Sequence, residues 1–303
     1  MLRFLVRRTL FIILVYVCIV FFVHLGMRLA RNSETSRPDY DLIGIARIAW
    51  QDTQSHLSRT LRGDWGNIRV ASGSVPIQQV LSETYRNSMG LLLVALLAST
   101  VVGTIIGALA ALIKREGITL SLLALTVLGI STPSFFAGLL LQIGELKYLA
   151  TFGRRLVSMA GFGWDVEHML MPVLVLSARP LAYLTRATFI ALDRTMQEDY
   201  IRTAFSKGLA VDRAVIVHAL RNIAIPILTA IGVSLRFSLA TLPVVELFFS
   251  WPGIGRSLLE AIDTRHTEMV TVLASSLGLT LLLVNLGLDI AYRILDPRMR
   301  EEA

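Results

Sequence analysis

The sequence holds one cysteine in 303 residues, Cys18, and it sits inside an apolar run. A single thiol excludes an internal disulfide framework and a thiolate metal cluster. The five histidines, His24, His56, His168, His218 and His266, are scattered over different segments with no H-E-x-x-H, so no metal site and no histidine-based catalysis is expected. No G-x-x-x-x-G-K-[ST] occurs, and none of the three lysines is followed by Ser or Thr. The chain therefore has no Walker-type phosphate loop, and energy from ATP would have to come from another subunit. No G-x-S-x-G elbow frames a serine nucleophile. Charge is also scarce, at 17% of residues against 54% hydrophobic, with a mean hydropathy of +0.64. That balance excludes an ordinary soluble domain and points to a multi-span membrane protein.

What is present is long apolar runs. A hydrocarbon core of about 30 Å needs about 20 apolar residues in a helix, because each adds about 1.5 Å and no water is there to satisfy backbone polar groups. Six stretches reach that length: Thr9 to Met27, Asn87 to Ile113, Ile118 to Gly144, Met169 to Leu192, Ile223 to Ser250 and Met269 to Tyr292. The first follows a basic start, Arg3, Arg7 and Arg8, yet is too long for a secretory h-region and lacks a small-x-small cleavage site, so it is read as a retained span.

The net charge of +7 would suggest a nucleic-acid partner in a soluble chain. Here it has a topological explanation. With a cytoplasmic N-terminus, Arg3, Arg7, Arg8, Lys114, Arg115, Arg194, Arg202, Lys207, Arg213, Arg221, Arg293, Arg298 and Arg300 fall inside, and the short outer loops keep only Lys147, Arg154, Arg155, Arg256 and Arg265. Both termini are then cytoplasmic. The long loop Arg28 to Arg86 lies outside, where length lets it cross regardless of its charge. Within it, Leu42, Ile45, Ile48 and Ala49 recur at helical spacing and predict a short amphipathic helix on the outer surface.

The costly charges inside spans are Arg179 and Arg186 in the fourth and Arg236 and Glu246 in the fifth. Arg236 and Glu246 are about 15 Å apart along one helix and cannot pair with each other. Arg186 can snorkel to the surface, leaving Arg179 as the better candidate for a polar pathway. Pro172, Pro180, Pro226 and Pro243 remove helix hydrogen bonds in the same two spans and favour kinks.

Between those spans lies a charged segment, Glu198 to Pro226, too polar to cross a bilayer and broken by Gly208. Its runs Glu198-Asp199-Tyr200-Ile201-Arg202-Thr203-Ala204, Ser206-Lys207-Gly208-Leu209 and His218-Ala219-Leu220-Arg221-Asn222, with Ile225-Pro226 after them, resemble the EAA motif. The version is that of the permease subunits of dipeptide, oligopeptide and nickel ABC importers of the type I class. A second run, Glu246-Leu247-Phe248-Phe249-Ser250-Trp251-Pro252-Gly253-Ile254-Gly255-Arg256, is similar to the sequence after that family's fifth span. Gly63-Asp64-Trp65-Gly66, Ser131-Thr132-Pro133-Ser134-Phe135 and Leu295-Asp296-Pro297-Arg298 agree as well. Departures are Arg202 and Thr203 where the wider motif has Glu and Ala, the lack of a proline between Leu146 and His168, and Arg236 in place of a small or apolar residue.

The resemblance implies an all-α membrane protein with six transmembrane helices, a cytoplasmic coupling helix and a long external loop between helices 1 and 2. It is read as one permease domain, 1–303: the first span with its basic N-terminus (1–30), the external loop (31–86) and a five-span core (87–303) containing the coupling segment (193–222). Glu198, Asp199, Tyr200, Arg202, Thr203, Ala204, Lys207, Gly208 and Leu209 would contact an ATPase subunit. Small Ala204 would allow close approach, Gly208 would end the helix in a left-handed conformation and Asp212 would cap the next one. Arg179, Arg236, Glu246, Trp251, Pro252 and Gly253 are candidates for the pathway or its gate. The expected partners are a second homologous permease, two cytoplasmic ATP-binding subunits, an extracytoplasmic substrate-binding protein and membrane lipid, with no nucleic acid. The chain itself is expected to bind no cofactor, ATP and Mg belonging to the partner subunits. Transport of peptides or related small polar solutes across a bacterial or archaeal plasma membrane is the leading function. A permease for nickel or a metal chelate, or an ATP-independent secondary transporter or channel, is the alternative.

Overall fold

The computed structural model describes residues 2–33, 41–70, 73–113, 116–210, 213, 215 and 219–295. Lys114, Arg115, Asp212, His218 and the run from Asp296 onward lie outside the described residues. The long apolar runs fold as helices because only a helix satisfies the backbone within one crossing segment. They are α1 (Leu2–Ser33), α3 (Ile77–Ile113), α5 (Ser134–Phe152), α6 (Val166–Thr195), α8 (Leu220–Phe248) and α10 (Thr267–Leu295). These are the six helices, among the described residues, long and apolar enough to cross a membrane. The chain is an all-α membrane protein.

One expected span is corrected. Ile118 to Gly144 is not a continuous helix but two, α4 (Glu116–Ser131) and α5, with Pro133 at φ −60° and ψ 139° as the residue before α5. Proline gives no N–H to the preceding turn and biases the residue before it away from helix, so α4 stops and the chain restarts at Ser134. The crossing helix is α5, which continues eight residues past Gly144 to Phe152.

The chain divides into two compact units, one made largely of Met1–Ser88 with Pro252–Ile290, the other of Met89–Trp251. In the first, α2 (Leu42–Leu61) packs along α1. Its buried face is Ile45, Ala49, Thr53 and His56, whereas Leu42 and Ile48, expected on the apolar stripe, are exposed. The helical period holds, but the face turns toward polar partners on α1. Arg28 pairs with Asp52 at 2.7 Å and the His24 and His56 ring centres are 5.9 Å apart. Arg59 reaches Glu268 of α10 at 2.8 Å. Burial pushes His56 down to about pKa 4, with the charges of His24 and Arg59 adding to the effect and Glu268 opposing it. The hairpin β1 (Asn67–Val70) and β2 (Gly73–Pro76) pairs antiparallel, Ile68 opposite Val75, and leads into α3. The loop of nearly sixty residues is thus largely regular structure. A short helix, α9 (Ile254–Asp263), is docked by Ser88, whose Oγ accepts the Ile254 N–H at 2.7 Å, and by Asn87, which donates to the Pro252 carbonyl at 3.0 Å.

In the second unit α6 and α8 form the most extensive helix pair. On another face of α6, α3 comes in so closely that a Cβ on Gly107 would lie 2.4 Å from the Thr185 carbonyl and 2.8 Å from Thr188 Cβ. Gly103, four residues earlier, meets the Leu181 carbonyl in the same way at 3.0 Å. Apolar helices gain little by associating in lipid, so the contact depends on backbones approaching where side chains are smallest. Ala111, Leu192, Ala219 and Ile223 close the core near the charged segment.

Candidate functional site

The segment after α6 folds as α7, Asp199–Ser206, with Glu198 extended in front of it and Asp199 in the first turn. An acidic residue there suits the positive end of a helix dipole. Ile201 is fully buried, and Ala204, Phe205 and Leu209 are half-buried on the same side. Asp199, Tyr200, Arg202, Thr203, Ser206 and Lys207 are exposed. The helix ends where the sequence places Gly208, at φ +81°. The Leu209 N–H donates to the Ala204 carbonyl at 3.1 Å and the Gly208 N–H to the Phe205 carbonyl at 2.9 Å, the pair of bonds that defines a left-handed helix stop. Asn222, at the start of α8, donates to the Tyr200 hydroxyl at 2.5 Å. The exposed face of α7 is therefore anchored at both ends, by its cap and by a bond to the next membrane helix.

Arg179, Arg186, Arg236 and Glu246 separate. Arg186 and Arg236 are exposed, Arg179 is half-buried and Glu246 is fully buried. Arg179, near the midpoint of α6, lines a cavity of about 510 Å³ bounded by α4, α5, α6 and α8. Its guanidinium lies 5.6 Å from the centre of the Phe237 ring, and it has no carboxylate partner among the described residues. An arginine at the centre of a membrane helix costs ~2.5–3.5 kcal/mol on insertion scales, while a cation over an aromatic face returns ~0.5–2 kcal/mol. The ring alone does not balance the charge. Thr185 Oγ1 and Ser238 Oγ line the same cavity and are buried without a hydrogen-bond partner. Arg236 is not among the lining residues although it precedes Phe237.

Glu246, Trp251, Pro252 and Gly253 occupy the turn that ends α8. The Trp251 N–H donates to the Glu246 carbonyl at 2.8 Å and the Ser250 N–H to the Leu247 carbonyl at 3.3 Å, with Ser250 held at φ +56°. Trp251 is fully buried, with the Phe162 ring at 4.9 Å and the Trp164 ring at 5.5 Å, both edge-on. The loop that supplies those rings lacks the expected proline but is firmly held. Buried Glu145 accepts the Leu156 N–H at 2.7 Å, Gln142 donates to the Met159 carbonyl at 2.8 Å and the Gly161 N–H donates to the Phe249 carbonyl at 2.9 Å. These residues, Glu145 above all, were missed from sequence. The one available signal was a carboxylate directly flanking an apolar run. At the loop's end, a hydrogen bond from the His168 ring holds the Asp165 carboxyl below its ordinary range.

Residues 103–301 match the family described as "Binding-protein-dependent transport system inner membrane component". The chain is 30% identical to the dipeptide transport system permease protein DppB of Escherichia coli K12, over 86% of this chain and 84% of that protein. It is 33% identical to the probable peptide ABC transporter permease protein y4tP of Sinorhizobium fredii, over 80% and 78% of the two chains. To the glutathione transport system permease protein GsiC of Escherichia coli K12 it is 28% identical, over 99% of each.

Proposed function

Because the chain belongs to the family of binding-protein-dependent transport system inner membrane components, we propose that it is the permease subunit of an ATP-driven importer of peptides or related small polar solutes. It forms half of a translocation pathway beside a second homologous permease. Two cytoplasmic ATP-binding subunits carry the ATP and Mg, and an extracytoplasmic binding protein delivers the solute. The names of the relatives, dipeptide, peptide and glutathione permeases, support the solute class. Both termini are cytoplasmic, which puts α7 on the side of the ATPase.

The observation that carries this reading is α7 itself. It is a short polar helix with an exposed charged face, sharply stopped at Gly208 and bonded through Tyr200 to Asn222 of α8. Glu198, Asp199, Arg202, Thr203 and Lys207 meet the ATP-binding subunit, Ala204 packs close on the side of buried Ile201, and Gly208 with Leu209 fixes where the lever ends. Closure of the ATPase pair moves α7, and the Tyr200–Asn222 bond passes that displacement to α8, whose Pro226 and Pro243 interrupt its hydrogen-bond ladder. Alternating access follows as a shift between two packed arrangements. The turn from Glu246 to Gly253, locked around Trp251, forms the gate at the far end of α8.

Deleting Arg202–Leu209 tests the assignment. The expected result is a membrane-inserted chain that no longer co-purifies with ATP-binding subunits and supports no uptake. Assembly and transport that survive the deletion would remove the docking role.

A further inference from the structure

α2 has three faces where a helix on a protein surface ordinarily has two. Ile45, Ala49, Thr53 and His56 form the buried one, and Asp52, Ser55 and Arg59 lie along one edge of it and are polar. Along the other edge, Ile43, Trp50, Leu57 and Leu61 recur at intervals of seven, seven and four residues and so share one side of the helix. Ile43 is 75% exposed, Trp50 45% and Leu61 89%, with Leu57 half-buried. Arg47 and Gln54 border this row and are exposed, while Leu42 and Ile48, also exposed, lie off it.

α1 fixes what the row faces. Trp50 meets the Phe21 ring edge-on, the centres 6.1 Å apart, whereas Asp52, on the nearly opposite side of α2, pairs with Arg28 at 2.7 Å. Phe21 falls within the apolar run Thr9 to Met27, and Arg28 stands just past its end, about 10 Å farther along α1. The side of α2 that carries the row is therefore turned toward hydrocarbon, and the side that carries Asp52 toward water. Phe22, its ring 5.6 Å from that of Phe21, is 64% exposed on a helix that crosses the bilayer, so acyl chains surround it. The row on α2 continues that lipid-facing surface. Tryptophan suits the boundary between headgroups and chains, and an arginine beside the row can bury its stem and keep its guanidinium at the level of the phosphates.

We propose that the Ile43–Trp50–Leu57–Leu61 row seats α2 in membrane lipid, in the leaflet at the C-terminal end of α1, with the row against the upper acyl chains and Arg47 among the headgroup phosphates. The loop between the first two spans is thereby held to the bilayer as well as to α1. The assignment depends neither on what the chain transports nor on which end of α1 is cytoplasmic.

The test uses the full-length chain in vesicles of dioleoylphosphatidylcholine. Cys18, the one native cysteine, is removed as Cys18→Ser, and a bimane probe is attached in turn to Ile43→Cys and Leu61→Cys in the row and to Ser55→Cys on the polar face. Two positions in the row keep the test open should one labelled chain fail to fold. In vesicles of the same lipid brominated at the shallow end of its acyl chains, both row probes should lose about half their emission or more, and the Ser55→Cys probe should change little. Iodide on both sides of the membrane should quench the row probes about threefold less than the Ser55→Cys probe. Equal iodide quenching at all three positions would overturn the proposal, because the row would then face water. Shielding from iodide without quenching by brominated lipid would overturn it as well, since a second copy of the chain would then cover the row. So would shielding that appears only when a binding protein is added.

Discussion

Gly208→Val isolates the end of α7 from everything else. Among the described residues a Cβ at Gly208 would meet no atom within 4 Å, so the cost of the substitution falls on the backbone. At φ +81° that cost is about 1–2 kcal/mol for an ordinary L-residue, highest for a β-branched one, whereas asparagine tolerates the region. A helix of eight residues has little intrinsic stability. The capped turn carrying the Leu209–Ala204 and Gly208–Phe205 bonds should therefore fall about 5–30-fold in population. In the assembled, reconstituted complex, Gly208→Val should lower ATP-driven uptake by a similar factor while ATP hydrolysis continues, and Gly208→Asn should stay within about twofold of the native chain. Uptake that is the same for Val, Asn and Gly would refute the argument that the left-handed stop positions the lever.

Three further outcomes follow from the packing. Gly107→Ala drives a methyl into the Thr185 carbonyl and should cost about 1–3 kcal/mol, seen as a lower melting temperature of the purified chain. Gly144→Ala, a helical glycine with open space around it, should be neutral or stabilising by up to about 1 kcal/mol, and equal melting of the two would count against the close α3–α6 approach. Ser250→Gly should raise stability by about 1 kcal/mol by relieving a positive φ, and a drop would show that the Ser side chain matters to the turn. His56 docks with its pKa lowered to about 4, so undocked α2 takes up a proton first, near pH 6.5. Docking should be constant above that pH and weaken as pH falls toward 4, by roughly 1–2 kcal/mol after solvent screening. Amide exchange in α2, taken relative to its intrinsic pH dependence, should rise between about pH 6.5 and 5 and stay flat in His56→Gln. A native profile flat over that window would remove His56 as the cause.

The spans were legible because the bilayer sets a length that apolar runs either reach or miss. The stop of α7 was legible because a left-handed residue so strongly selects glycine. Where the structure departs, the missing information was about neighbours. Pro133 sits in a run apolar on both sides, and hydropathy does not register a break that leaves composition unchanged. Arg179 and Arg236 look alike in sequence, yet helix rotation places one in a cavity and the other on the surface. His24 and His56 meet only because α2 folds back along α1. Gly103 and Gly107 carry a small-xxx-small spacing, but the residues they meet, Leu181 to Phe189, are far away in sequence. Leu42 and Ile48 share the helical period of Ile45 and Ala49, but period alone does not say which members of the stripe meet the facing helix.

The central claim is that this chain couples ATP hydrolysis on the α7 side to solute import. Its most direct measurement is uptake of a labelled dipeptide into proteoliposomes holding the permease pair and ATP-binding subunits, with binding protein outside and ATP inside. The account predicts uptake that stops when ATP, the ATP-binding subunits or the binding protein is omitted, and that is indifferent to ion gradients. Uptake driven by an ion gradient with the ATP-binding subunits left out would contradict it.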